Sequence, residues 1–189
     1  MICLDKQQLT DAEVKELDAE YDSYGDTVHY SPDPKVFRGC EGSYMYDSND
    51  TPYLDLQMMY SACNFGYRNQ RINDAVLDQM NTMPQLCPKY LYDYKPMLAK
   101  KMADMNYKRF GEKGRIHFNV GGAQANEDAL KVIRNYTGRN AVFAFQGGYH
   151  GRTIGATCMT SSFRYREKYG HFGDRAQFIP FPYCFRCPY

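Results

Sequence analysis

Apolar positions fall at helical spacing from the start of the chain: Val14, Leu17, Tyr21 and Tyr24 form one stripe over residues 10–24. Thr10 stands where it can cap that helix, Glu13 follows three positions later as in a capping box, and Gly25 stops it. A proline-rich connection, Ser31-Pro32-Asp33-Pro34, leads to a predicted hairpin with strands over 43–46 and 53–56. Asp47-Ser48-Asn49-Asp50 turns the chain between them. This stretch is too thin to bury a core alone, so residues 1–70 read as an arm with a small β-hairpin. From Arg71 the pattern changes. Helices are predicted over 71–81 and over 96–105, where Pro96 occupies the first turn. Then strand 115–119, helix 122–136, strand 141–145, a helix from about Thr153 and strand 177–181 alternate. Short apolar strands alternating with helices predict an α/β fold with a mainly parallel sheet flanked by helices. Residues 71–189 are therefore expected to be the first part of a larger domain, with an open sheet edge after Phe181.

Composition narrows the function. Hydrophobic residues make up 43% of 189 and the net charge is +1, which excludes a disordered charged tail and the basic footprint of a nucleic-acid binder. The 18 tyrosines read as contact area in cores and interfaces. No apolar run reaches membrane-spanning length, and MICLDKQQLT lacks the pattern of a signal peptide, so a cytoplasmic location is expected. The seven cysteines (Cys3, Cys40, Cys63, Cys87, Cys158, Cys184 and Cys187) are odd in number and mostly scattered, and are read as reduced thiols.

The most informative run is His117-Phe118-Asn119-Val120-Gly121-Gly122-Ala123-Gln124-Ala125-Asn126-Glu127. A strand ends, two glycines turn the chain and a helix begins, with Ala125, Ala129, Val132, Ile133 and Tyr136 as its apolar face. Glu127 and Lys131 are expected to pair across one turn of its wet face. Glycines lack Cβ atoms, so amides at such a helix start can face a phosphate dianion, favoured by the helix dipole. A Gly-Gly turn with nothing bound fits this run equally well.

The next predicted strand, 141–145, runs into Gln146-Gly147-Gly148-Tyr149-His150-Gly151-Arg152-Thr153. Two successive parallel strands would then end in glycine-rich loops on one sheet edge, where ligands of open α/β sheets bind. Tyr149 could lay its ring over a planar heterocycle held by the first loop. Together the loops favour a flat, phosphorylated ligand over two empty turns.

Residues 121–131, Gly-Gly-Ala-Gln-Ala-Asn-Glu-Asp-Ala-Leu-Lys, resemble the Ser-Gly-Ser/Ala-Glu-Ala-Asn/Val-Glu stretch of class III aminotransferases, the group of the 4-aminobutyrate, acetylornithine and ornithine enzymes. Tyr149-His150-Gly151-Arg152-Thr153 matches that family's Tyr/Phe-His-Gly-Arg-Thr loop. Tyr53-Leu54-Asp55-Leu56 with Gly66-Tyr67 resembles its Tyr-Leu-Asp-Phe…Gly-His segment, and residues 182–189 resemble a Pro-Tyr-Cys-Tyr-Arg-Cys-Pro-Phe stretch. The resemblance covers about residues 40–189. It implies pyridoxal 5'-phosphate as cofactor, with Gly121, Gly122 and Ala123 giving amides to its phosphate, Tyr149 stacking on its ring and His150 shaping the pocket. It also implies a substrate-facing loop from Met59 to Phe65, with Tyr60 as the substrate-binding residue. Departures occur at Gly121 (the family's Ser), Gln124 (its Glu) and Tyr67 (its usual His).

The resemblance places the Schiff-base lysine, and the aspartate that holds the pyridinium nitrogen protonated, beyond residue 189, so no catalytic residue is assigned here. Lys131 lies ten residues into the helix from Gly121, about 15 Å along its axis at ~1.5 Å per residue, and cannot substitute. Two accounts follow. A complementary C-terminal half or chain completes an aminotransferase acting on an amine and a 2-oxo acid, or the chain is a non-catalytic scaffold or regulator. A racemase or aminomutase would use the same cup. The resemblance further implies a dimer or higher homo-oligomer, with the arm, the 59–65 loop and the tyrosine-rich 85–95 segment reaching across. Neither a nucleic acid nor a membrane is expected as partner.

Other motifs carry less. Cys184-Phe185-Arg186-Cys187 is a single C-x-x-C pair, whereas a structural zinc site wants two pairs or suitable histidines, so no metal site is assigned. His29 and His171 stand alone, His117 on its predicted strand reads as a core or interface residue, and Arg164, Arg166, Lys168 and Arg175 read as a solvated basic face.

Overall fold

The computed structural model describes residues 9–22, 33–162, 165–166 and 176–187. Cys3, Tyr24, Gly25, His29, Ser31, Pro32, Arg164, Lys168, His171 and Arg175 lie outside the described residues. The chain forms two compact units, divided between Tyr92 and Asp93.

The first unit opens with α1 (Asp11–Tyr21), closed at its N-terminus by the expected capping box: Thr10 accepts from the Glu13 amide while the Glu13 carboxylate accepts from the Thr10 amide at 2.7 Å. The expected hairpin is larger than the pattern suggested. Strands β1 (Phe37–Glu41), β2 (Tyr44–Asp47) and β3 (Pro52–Leu54) make a three-stranded antiparallel meander in sequence order. Strand β1 escaped the sequence reading because Phe-Arg-Gly-Cys-Glu shows no alternation, and its register shifts between Phe37 and Gly39. The β2–β3 turn is built by Asp47, whose Oδ1 accepts from the amides of Asn49 and Thr51 at 2.9 and 3.0 Å. After β3 comes α2 (Met58–Ser61), a single turn with Met59 and Tyr60 wound left-handed, then α3 (Gln70–Thr82), capped by the Asn69 side chain.

The second unit begins with α4 (Tyr94–Phe110), longer than predicted at both ends, followed by α5 (Gly122–Thr137). Strands β4 (Phe143–Phe145) and β5 (Gln177–Ile179) pair in parallel, with α6 (Ile154–Met159) between them in sequence. This βαβ arrangement is the parallel element that the alternation predicts. Residues 115–119 are a correction to the sequence reading: they enter no ladder with a described strand, because extended backbone becomes a strand only beside a hydrogen-bonding neighbour. The two glycine-rich loops therefore do not follow two paired strands.

The core of this unit is small. Ala144, Met159 and Ala176 are buried, with Leu130, Val142 and Phe178 packed against them. Leu130 lies on the same stripe of α5 as Ala123 and Glu127. The face that the sequence marks as apolar is the opposite one, and it is bare: Val132, Ile133 and Tyr136 are 66%, 56% and 90% exposed. Helices α3, α4 and α5 bury no residue completely among those described. At about 1.5–3 kcal/mol for burying one large apolar side chain, such faces hold the driving force for a further packing partner.

Candidate cofactor and substrate sites

Gly121 has extended backbone (φ −174°, ψ 165°) and α5 starts at the next residue with no side chain capping its first turn. The Ala125 amide bonds back to the Gly121 carbonyl at 3.0 Å, which leaves the first-turn amides before it aimed off the helix end. A Cβ at Gly121 or Gly122 would meet nothing within 4 Å, so the space beside both glycines is open to a ligand. The N-terminus of this 16-residue helix carries roughly half a positive charge from the aligned peptide dipoles. Gly121, Gly122 and Ala123 thus form an uncapped, anion-favouring cradle.

The second loop is fixed against that cradle by contacts the sequence did not announce. Asn126, one turn into α5, donates from Nδ2 to the His150 carbonyl at 2.7 Å. Glu127 receives three bonds on one oxygen, from the Thr153 hydroxyl at 2.6 Å and the amides of Gly155 and Ala156 at 2.7 and 3.1 Å. The Thr153 hydroxyl and then these amides hold its carboxyl below the usual glutamate value, against the opposing effect of burial. The expected Glu127–Lys131 pair is absent. Lys131 bonds Asp128 at 3.3 Å instead, because unpaired amides at the start of α6 compete better for the Glu127 carboxylate. Gly151 sits with φ +122°, a conformation closed to side chains, and so close that a Cβ there would lie 2.4 Å from the Ala123 Cβ.

Thr160, fully buried, is the hub of the loop: its hydroxyl accepts from the His150 amide at 3.0 Å and donates to the Gly151 carbonyl at 2.8 Å. Ser161 adds a bond to the Gly147 amide at 2.5 Å and donates its own amide to the Gly148 carbonyl at 2.9 Å. Single Thr and Ser residues carry no sequence signal for such a role. Tyr149 stands at the loop tip, 56% exposed, with its ring edge-on to Tyr165 at 5.3 Å. His150 is half-buried behind it. The structure therefore brings Ala123 and the loop carrying Tyr149 and His150 together. His117, expected in a core or an interface, is not in a core: it is exposed and bonds Asp128 at 3.1 Å.

Tyr60 belongs to the first unit, on the left-handed turn α2, and is 71% exposed. Below it, Asp55 is buried, with Oδ1 accepting from the amides of Gln57 and Met58 at 2.9 and 3.1 Å and Oδ2 from the Tyr67 hydroxyl at 2.5 Å. The Tyr67 bond lowers the Asp55 carboxyl, and the carboxylate in turn pushes the Tyr67 phenol up to about 12. The cysteines Cys40, Cys63, Cys87, Cys158, Cys184 and Cys187 are free thiols, and the described residues contain no group of three or more potential metal ligands. No described helix is long and apolar enough to cross a membrane.

The second unit is thus an α/β unit with an open, glycine-flanked helix start beside a braced aromatic loop. Residues 29–188 match the family model of the class III aminotransferases, and the chain belongs to that family. It is 33% identical over 133 residues to an acetylornithine aminotransferase of Lactiplantibacillus plantarum, covering 70% of this chain and 33% of that one. Over 158 residues it is 28% identical to a leucine/methionine racemase of Thermococcus litoralis, covering 82% and 35%. Among solved structures it resembles taurine:2-oxoglutarate aminotransferase from Bifidobacterium kashiwanohense, determined with PLP and glutamate. There the TM-score is 0.81 at 30% identity, over 93% of this chain and 39% of that one. The chain thus spans about a third to two-fifths of these relatives.

Proposed function

We propose that this chain is the cofactor-cup portion of a pyridoxal-phosphate-dependent aminotransferase that moves an amino group from an amine or amino acid to a 2-oxo acid. The observation that carries this reading is the uncapped start of α5 at Gly121–Gly122, pinned to the Tyr149 loop by Asn126, Glu127 and the Ala123–Gly151 contact. The amides of Gly121, Gly122 and Ala123 hold the phosphate, Tyr149 covers one face of the ring and His150 closes the pocket behind it. When bound, pyridoxal phosphate supplies the electron sink for reaction at the substrate's α-carbon. Tyr60 contacts the substrate. In this reading residues 1–70 serve as arm and hairpin and residues 71–189 begin the cofactor-binding domain. A complementary segment or chain supplies the Schiff-base lysine and covers the bare apolar faces of α3, α4 and α5, and the assembly contains at least two copies.

Similarity to the racemase favours one second reading: the same cup serving amino-acid racemisation. The test is to purify the chain with whatever accompanies it in cytoplasmic extract, to determine the mass of every component, and to assay each fraction. Amino transfer to a 2-oxo acid only where a second segment carrying the lysine is present supports the proposal. Turnover by the mass-verified 189-residue chain alone refutes it, and inversion of an amino acid without transfer establishes the racemase.

A further inference from the structure

Four successive residues of α2, Met58, Met59, Tyr60 and Ser61, have φ of 47°, 51°, 53° and 66°. Left-handed backbone brings Cβ against the following carbonyl, so L-residues adopt it singly and a run of four must be held by its surroundings. No glycine eases it. What holds it is visible. Asp55 accepts the amide of Gln57, just before the turn, and that of Met58, its first residue, and its second oxygen takes the Tyr67 hydroxyl from the far end of the same loop. Both ends are fixed to the meander: the Asp55 amide donates to the Ser43 carbonyl at 2.9 Å, and Tyr67 exchanges two backbone bonds with Gly42 at 3.1 and 2.7 Å. The Cys63 amide closes the turn onto the Met58 carbonyl at 3.1 Å. Asp55 at the base is 9% exposed, while Met59 and Tyr60 at the tip are exposed.

We propose that Asp55 and Tyr67 form a clasp that prebuilds the left-handed turn and thereby aims Tyr60, making both of them positioning residues for recognition of the amino substrate. The inference rests on the reading that Tyr60 faces the substrate. Prebuilding removes the ordering cost that a loose loop would add to binding.

The test uses Tyr67→Phe, which removes one hydroxyl and keeps the ring. Hydrogen exchange of the amides at 57–63 and the 19F line shape of 3-fluorotyrosine at position 60 are followed in the 189-residue chain. At least tenfold faster exchange, together with a Tyr60 signal shifted to that of a flexible peptide, supports the clasp, and unchanged exchange overturns it. In the complete enzyme, Tyr67→Phe is then expected to raise KM for the amino donor about tenfold with kcat nearly unchanged and cofactor affinity kept. A loosened turn with unaltered KM overturns the positioning role, provided that Tyr60→Ala does raise KM. If Tyr60→Ala leaves KM unchanged, the substrate reading of Tyr60 falls and the positioning role with it, while the exchange result still decides the clasp.

Discussion

Gly151→Ala puts the junction of the two loops under direct stress. The new methyl carbon would stand 2.4 Å from the Ala123 Cβ, 2.8 Å from the Ala123 Cα and 3.1 Å from the Ala156 Cβ. Carbon atoms pack at about 3.5–4.0 Å, so the Tyr149 loop and the start of α5 must separate by roughly 1 Å or more. Backbone at φ +122° adds strain of about 1–3 kcal/mol for a residue with a side chain, and overpacking adds about 1–3 kcal/mol. The expected loss is therefore about 2–6 kcal/mol, a large share of the ~5–15 kcal/mol that holds an ordinary domain. Urea titration followed by near-ultraviolet circular dichroism measures it, since tyrosines dominate that signal. A displacement of ~1 Å at the cup should also weaken binding of pyridoxamine 5'-phosphate, because the amides there no longer meet the phosphate at hydrogen-bond distance. Gly122→Val is the contrast: its side chain meets no protein atom within 4 Å at the Cβ, so stability should hold while the ligand is crowded out. A Gly151→Ala variant with unchanged midpoint and unchanged affinity would refute the close-approach argument.

Other expectations follow from the same geometry. Because the Glu127 carboxyl is held below its ordinary value of 4.5, the stability its clasp gives is fully present above that pH and is lost as pH falls through the lower folded value. Acid titration of wild type should therefore show an opening of the loop below about pH 4.5 that Glu127→Gln lacks, and identical profiles for the two would remove Glu127 from the clasp. Thr160→Val keeps shape but orphans the half-buried His150 amide beside a buried side chain, and should cost about 1–3 kcal/mol in the same urea assay, whereas Thr160→Ser should recover most of it. The functional assembly should contain at least two copies joined by an interface above ~2,000 Å². Sedimentation equilibrium checks it, and a stable folded monomer of 21.9 kDa would favour the non-catalytic regulator.

The elements legible in the sequence are those whose signals are local. The Thr10–Glu13 box, the Asp47 turn and the glycine start of α5 each depend on residues within four positions. What the sequence hid depends on partners far along the chain. Residues 115–119 have a strand's composition but no described neighbour to pair with. Glu127 looked like half of a surface ion pair because its amide partners, 28 and 29 residues away, belong to a loop whose approach only the fold reveals. Thr160 and the Asp55–Tyr67 bond are missed for the same reason. The left-handed turn over Met-Met-Tyr-Ser has no glycine to announce it. The apolar stripe of α5 was read correctly as a stripe, yet it faces away from the small core, so periodicity marked a surface that wants covering without saying by what.

Phosphate binding by the glycine-flanked start of α5 underlies the proposed function. It is tested most directly by titrating the complete assembly with pyridoxamine 5'-phosphate and with pyridoxamine, which lacks only the phosphate, in wild type and Gly122→Val. Tight, phosphate-dependent binding to wild type and loss of that phosphate preference in the variant are expected. Equal affinity for the two ligands in wild type, or an undiminished phosphate preference in Gly122→Val, would contradict it.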